Sequence, residues 1–132
     1  MVDRYTTLIF EVYPTMDGEG DSDKITVSRD GITPVWTVED LSGQTFSWKL
    51  PTADAAIILV NQFVQTRLKK IPKDEEGYLH VHLVQTPDLA TYKKGLSDLT
   101  LRSINVDMLT LPTTDANECK YRVERYIYCF LA

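Results

Sequence analysis

One stretch, Thr52–Lys70, constrains this chain more than any other, because it alone carries a long helical signature. Thr52 follows Pro51 and is placed to cap a helix, its hydroxyl accepting from a free amide of the first turn. Asp54 lies near the positive end of the helix dipole, and Arg67, Lys69 and Lys70 lie near the negative end. Ala56, Val60, Phe63 and Val64 recur at three- and four-residue spacing, with Ile57 and Leu68 beside them, so one wide stripe is apolar. Asn61, Gln62, Gln65 and Thr66 are expected on the wet side. The first half, A-A-I-I-L-V, is apolar nearly all round, which predicts deep burial or a second contact surface that includes Ile57 and Ile58. Pro72 and the polar run after it end the helix. The unbroken apolar run falls well short of the roughly 20 residues a bilayer crossing needs, so a membrane span is not predicted.

The rest of the chain reads mainly as strands. Tyr5–Tyr13 alternates, with Leu8, Phe10 and Val12 on one face and Thr7, Ile9 and Glu11 on the other. Lys24–Arg29, Pro34–Glu39 and Gln44–Leu50 follow, with Ile25, Val27, Trp36, Val38, Phe46, Trp48 and Leu50 inward. Together these predict a four-stranded antiparallel meander with one apolar and one mostly polar face, the helix covering the apolar one. Tyr78–Gln85 is a fifth strand, with Leu79, Val81 and Leu83 on one face, and Thr86-Pro87-Asp88 opens a short second helix over about 88–96. Thr100–Leu111 is extended but changes phase, with Leu99 and Leu101 on one parity and Ile104, Val106 and Met108 on the other. A bulge near Arg102-Ser103 would reconcile them. Cys119–Ala132 reads as a last strand, with Val123, Ile127, Cys129 and Leu131 on one side and Tyr126, Tyr128 and Phe130 on the other. The expected architecture is a single α+β domain over 1–132, a mostly antiparallel sheet of six to seven strands with one long helix on one face.

Charge and cysteine usage narrow the partners. A net charge of −5, with basic residues scattered rather than clustered, argues against binding nucleic acid. Cys119 and Cys129 make no disulfide framework; ten residues apart on one strand, they would be roughly 30 Å apart. The start, M-V-D-R-Y-T-T, lacks a secretory pattern, so a reducing intracellular, cytoplasmic setting is expected, a virion included.

Three features bear on chemistry. His80 and His82 alternate on a strand, so both imidazoles point to one face roughly 6–7 Å apart at the backbone, a spacing that suits two ligands of one metal. A third ligand would come from afar, with Asp107, Glu124 or Cys119 as candidates. Asp17–Asp23 resembles the first half of a calcium loop, but Ser22 stands where glycine is required and Ser28 where a bidentate glutamate is required. No nucleophile elbow, phosphate loop or dinucleotide fingerprint occurs in the chain, so no cofactor is predicted. The aromatic residues Tyr126, Tyr128 and Phe130 are of the kind enriched in interface cores. With Ile57 and Ile58 they point to a non-enzymatic protein that binds other chains, copies of itself included. The alternative is a small metal-dependent enzyme or metal-binding domain using His80 and His82.

Overall fold

Tyr5–Tyr13 (β1) occupies the middle of the molecule because it is hydrogen-bonded on both edges. It pairs antiparallel with β2 (Asp23–Asp30) on one side and with β5 (Gly77–Thr86) on the other. The structure, a computed structural model, describes residues 5–13, 22–30, 35–41, 46–72, 75–86, 104–111 and 115–131. β3 (Trp36–Asp40), β4 (Phe46–Leu50) and β6 (Ile104–Leu111) complete a six-stranded sheet in the order β4-β3-β2-β1-β5-β6, antiparallel at every pairing. The protein is therefore α+β, with the meander of β1 to β4 as expected. α1 (Ala53–Leu68) then leads from the β4 edge back to β5. The short helix expected at about 88–96, the loop residues Asp17–Asp21 and the Arg102-Ser103 position lie outside the described residues.

Alternation along the strands sends Leu8, Phe10, Val12, Ile25, Val27, Val38, Leu79 and Val81 to one face, all buried in a single apolar cluster. α1 lies on that face through Ala56, Ile57, Val60, Phe63 and Val64. Thr52 caps it as expected, accepting from the amide of Ala55 at 3.2 Å, and Lys69 closes the other end. Asn61 departs from expectation. It is buried, because it lies on the flank of α1 that turns toward a second helix. Phe46 also departs, being exposed at the start of the edge strand β4, whereas Trp48 and Leu50 pack against the core.

That second helix is the main correction. The C-terminal run is not a strand: Ala116–Leu131 forms a 16-residue α-helix (α2) on the same face of the sheet. Two periods compete in this run. Ile127, Cys129 and Leu131 fit a strand's period of two, but Cys119, Val123, Ile127 and Leu131 fit a helical ladder of fours, and these are the four buried side chains. Local capping favours the helix as well. Asp115 Oδ1 accepts from the Glu118 amide at 2.8 Å, and Arg122 bonds Glu118 one turn back at 2.7 Å. The β-branched and aromatic composition of V-E-R-Y-I-Y-C-F is a weaker preference, overridden once four apolar positions can be buried against the sheet. Cys119 and Cys129 are both free, as expected, although the premise changes: on a helix the separation is about 15 Å.

Among the described residues β6 carries a bulge of its own. Val81 pairs with Asp107 while the next residue, His82, pairs with Asn105, so Val106 is the extra residue. Asp107 and Asn105 share a parity, yet the bulge sends Asp107 toward the helices and Asn105 to the opposite face. Leu109 and Leu111 are the inward residues of β6, and Ile104 and Met108 are exposed, contrary to the expected phase.

Candidate functional site

α1 and α2 run antiparallel, tied at both ends. Gln65 Nε2 donates to the Ala116 carbonyl at 3.3 Å near one end, and the Tyr128 hydroxyl donates to Asp54 at the other. That bond to Asp54, with burial adding, raises the Tyr128 pKa above its ordinary value. Asp54, Ile58, Asn61 and Gln65 follow one another at helical spacing along the flank of α1 nearest α2. Of the two isoleucines expected at a contact surface, Ile57 is buried in the core, whereas Ile58 is 58% exposed.

On α2 the three C-terminal aromatics do not share one side. Residues two apart on a helix are separated by roughly 200° around the axis, so Tyr126 and Tyr128 diverge. Tyr126 is half-buried on the β6 flank, its hydroxyl donating to Asp107, and burial followed by that bond raises its pKa. Arg122 completes this tie, bonding Asp107 at 3.1 Å as well as Glu118. Tyr128 is 43% exposed on the α1 flank, and Phe130 is 42% exposed near the C-terminal end. Tyr121, which sequence reasoning passed over, is 58% exposed two turns before Tyr128. Its spacing of seven to Tyr128 becomes visible only once the segment is read as a helix.

The opposite face of the sheet holds a polar cluster. Its central residues, Thr7, Ile9, Thr26, Ser28 and Val84, are buried, although a half-exposed polar face was expected. They lie on the three central strands, flanked on both sides. Among them Glu11 has a side chain only 9% exposed. Tyr13 donates to its Oε2 at 2.7 Å and Ser22 to the same oxygen at 3.1 Å, while Oε1 lies 2.9 Å from His82 Nε2. Burial alone would raise the Glu11 pKa. The bonds from His82 and Tyr13, with the nearby His82 and Lys24, outweigh it and hold the carboxyl at about 2. Tyr13 moves the other way, pushed to about 12 by burial and by its bond to Glu11.

His80 and His82 do point to the same side of β5, as alternation required, and their ring centroids are 3.6 Å apart. His80 Nε2 meets Asn105 Oδ1 at 2.9 Å, and burial and the neighbouring His82 lower its pKa. The carboxylate beside them is Glu11 of β1, a neighbour set by strand pairing and not by sequence proximity. Asp107 and Cys119 face the helix side and Glu124 lies on α2, so all three are across the sheet from the histidines. Among the described residues, no group of three His, Cys, Asp or Glu is arranged to hold a metal ion. Nor is any described helix long and apolar enough to cross a membrane. Protein-family models, curated proteins and solved structures contain no match to this chain.

Proposed function

We propose that this protein is a non-enzymatic contact subunit that works by binding other protein chains, copies of itself included, through the outward side of α2 and the adjoining flank of α1. The observation that carries this reading is the set of large apolar side chains left exposed there, Tyr121 and Tyr128 on α2 and Ile58 on α1; Phe130 is exposed too, but on the other side of α2. Scattered exposed apolar residues are ordinary, but several on one helix pair mark a surface suited to a partner. Tyrosine in particular adds contact area at small entropic cost. Tyr128 is further held by its bond to Asp54, so less order remains to be imposed on binding. The polar cluster supports the same reading, because both Glu11 oxygens are engaged inside the sheet.

Such a surface suits a structural or accessory subunit of a larger assembly, that of a virus or phage among them. The free thiols and the acidic balance fit a place in the cytoplasm or in a virion. Sedimentation velocity over micromolar to millimolar concentration tests the proposal. The wild type is expected to sediment increasingly as a larger species, and the double variant Ile58→Ser/Tyr121→Ser to stay monomeric with an unchanged circular-dichroism spectrum. A wild type that remains a strict monomer throughout would overturn the self-association part of the reading.

A further inference from the structure

The outward stripe of α2 is complementary to itself. Tyr121, Glu124, Arg125 and Tyr128 are all exposed, and their spacing of three, four and seven aligns them along one side of the helix. That side turns away from the buried ladder Cys119, Val123, Ile127 and Leu131. The midpoint between Glu124 and Arg125 is also the midpoint between Tyr121 and Tyr128. A two-fold axis through that point and perpendicular to α2 would therefore set each Tyr121 against Tyr128 of the second copy. It would also set each Glu124 against the second copy's Arg125. Both the aromatic and the charged pairs would occur twice, as a two-fold contact requires.

We infer that the occupant of this face is a second copy of the same chain, docked α2 against α2 in antiparallel fashion. The inference rests on the reading of the protein as a contact subunit and specifies its partner and geometry. The charges make the case for self-pairing. An apolar stripe alone would accept many partners, whereas an acidic and a basic residue flanking its centre favour an antiparallel copy in one register. A parallel copy in the same register would instead oppose Glu124 to Glu124 and Arg125 to Arg125. The ring of Tyr128 is already anchored through Asp54, and Ile58 of α1 adds apolar surface beside it.

Charge exchange tests the geometry. In Glu124→Arg both charged contacts become Arg against Arg, and in Arg125→Glu they become Glu against Glu. Each single variant alone is expected to self-associate roughly tenfold more weakly than wild type, with the loss reduced at high salt. An equimolar mixture of the two variants restores opposite charges at both contacts. It is expected to form a mixed dimer near wild-type affinity, read by sedimentation with one variant fluorescently labelled. Both substituted positions, Glu124 and Arg125, are exposed, so circular-dichroism melts should coincide and exclude misfolding. If wild type self-associates while both single variants match it, the α2 pairing is wrong and the contact-subunit reading stands. If the variants dissociate but their mixture is not restored, the two-fold register is wrong. If wild type never self-associates, the α2 pairing falls together with the self-association part of the contact-subunit reading.

Discussion

Replacing Glu11 by Gln isolates the charge that ties β1 to the histidines of β5. Gln keeps the size of the side chain and one oxygen for Tyr13 and Ser22, but it loses the negative charge beside His82. The folded-state pKa of about 2 lies below the ordinary value of 4.5, so the ionised form favours the fold. Each unit of difference corresponds to about 1.4 kcal/mol, and the shift therefore contributes about 3 kcal/mol at neutral pH. With so little of the side chain exposed, solvent screening removes only part of this. The sign follows from linkage. The contribution is fully present above 4.5, where the unfolded chain is also ionised, and it disappears as pH falls toward 2. His80 adds an acid-side loss of its own: its lowered pKa means that the unfolded chain takes up a proton first as pH drops below 6.5. The Glu11 charge is the last of the influences on His80, so most of that loss occurs in both proteins and cancels in their difference. Urea denaturation followed by the fluorescence of Trp36 and Trp48 provides the assay. Glu11→Gln should unfold about 3 kcal/mol more easily at pH 7, and the gap should narrow steadily between pH 4.5 and pH 3. Equal midpoints at pH 7, or a gap that persists undiminished in acid, would refute the account of the cluster.

Two further outcomes follow from α2. Ile127→Ala removes a fully buried side chain from the ladder that seats this helix, and should cost about 2–5 kcal/mol in the same denaturation assay; a loss under 1 kcal/mol would mean that α2 is not seated there. Cys129 is exposed while Cys119 is buried, its pKa pushed to about 11 by burial and then by Asp115 and Glu118. A thiol reagent at neutral pH should therefore modify one cysteine quickly and the second only on unfolding, and two equally fast thiols would contradict the packing of α2.

Strands β1, β2, β3 and β5 were readable from the residues because each carries a period of two with one consistently apolar parity, whereas β6 changes phase at its bulge. Leu8-Phe10-Val12 and Leu79-Val81-Leu83 needed no partner to be recognised, and burial confirms the parity at every one of these positions. α1 was readable for a similar reason, with a capping threonine, a polarised charge pattern and an apolar stripe all agreeing. Strand neighbours were not readable. Glu11 reaches His82 because β5, distant in sequence, returns beside β1, and alternation reveals a residue's face but never its neighbour across the ladder.

The C-terminal segment shows what a wrong period does to a functional reading. Read as a strand, Tyr126, Tyr128 and Phe130 form one aromatic face, and the surface available to a partner contains all three. Read as a helix, Tyr126 swings to β6, where Asp107 and Arg122 engage it, and Tyr121 takes its place beside Tyr128. The composition that misled, a run of aromatic and β-branched residues, is the same composition that leaves large rings exposed once the helix forms. A helix whose outward positions are tyrosines gains little from solvent, so its stability depends on the buried ladder of fours. On the proposed function, assembly and folding would draw on opposite sides of one 16-residue element. Substitutions on the Val123–Ile127 side should act on stability and those on the Tyr121–Tyr128 side on association, with little crossing between the two.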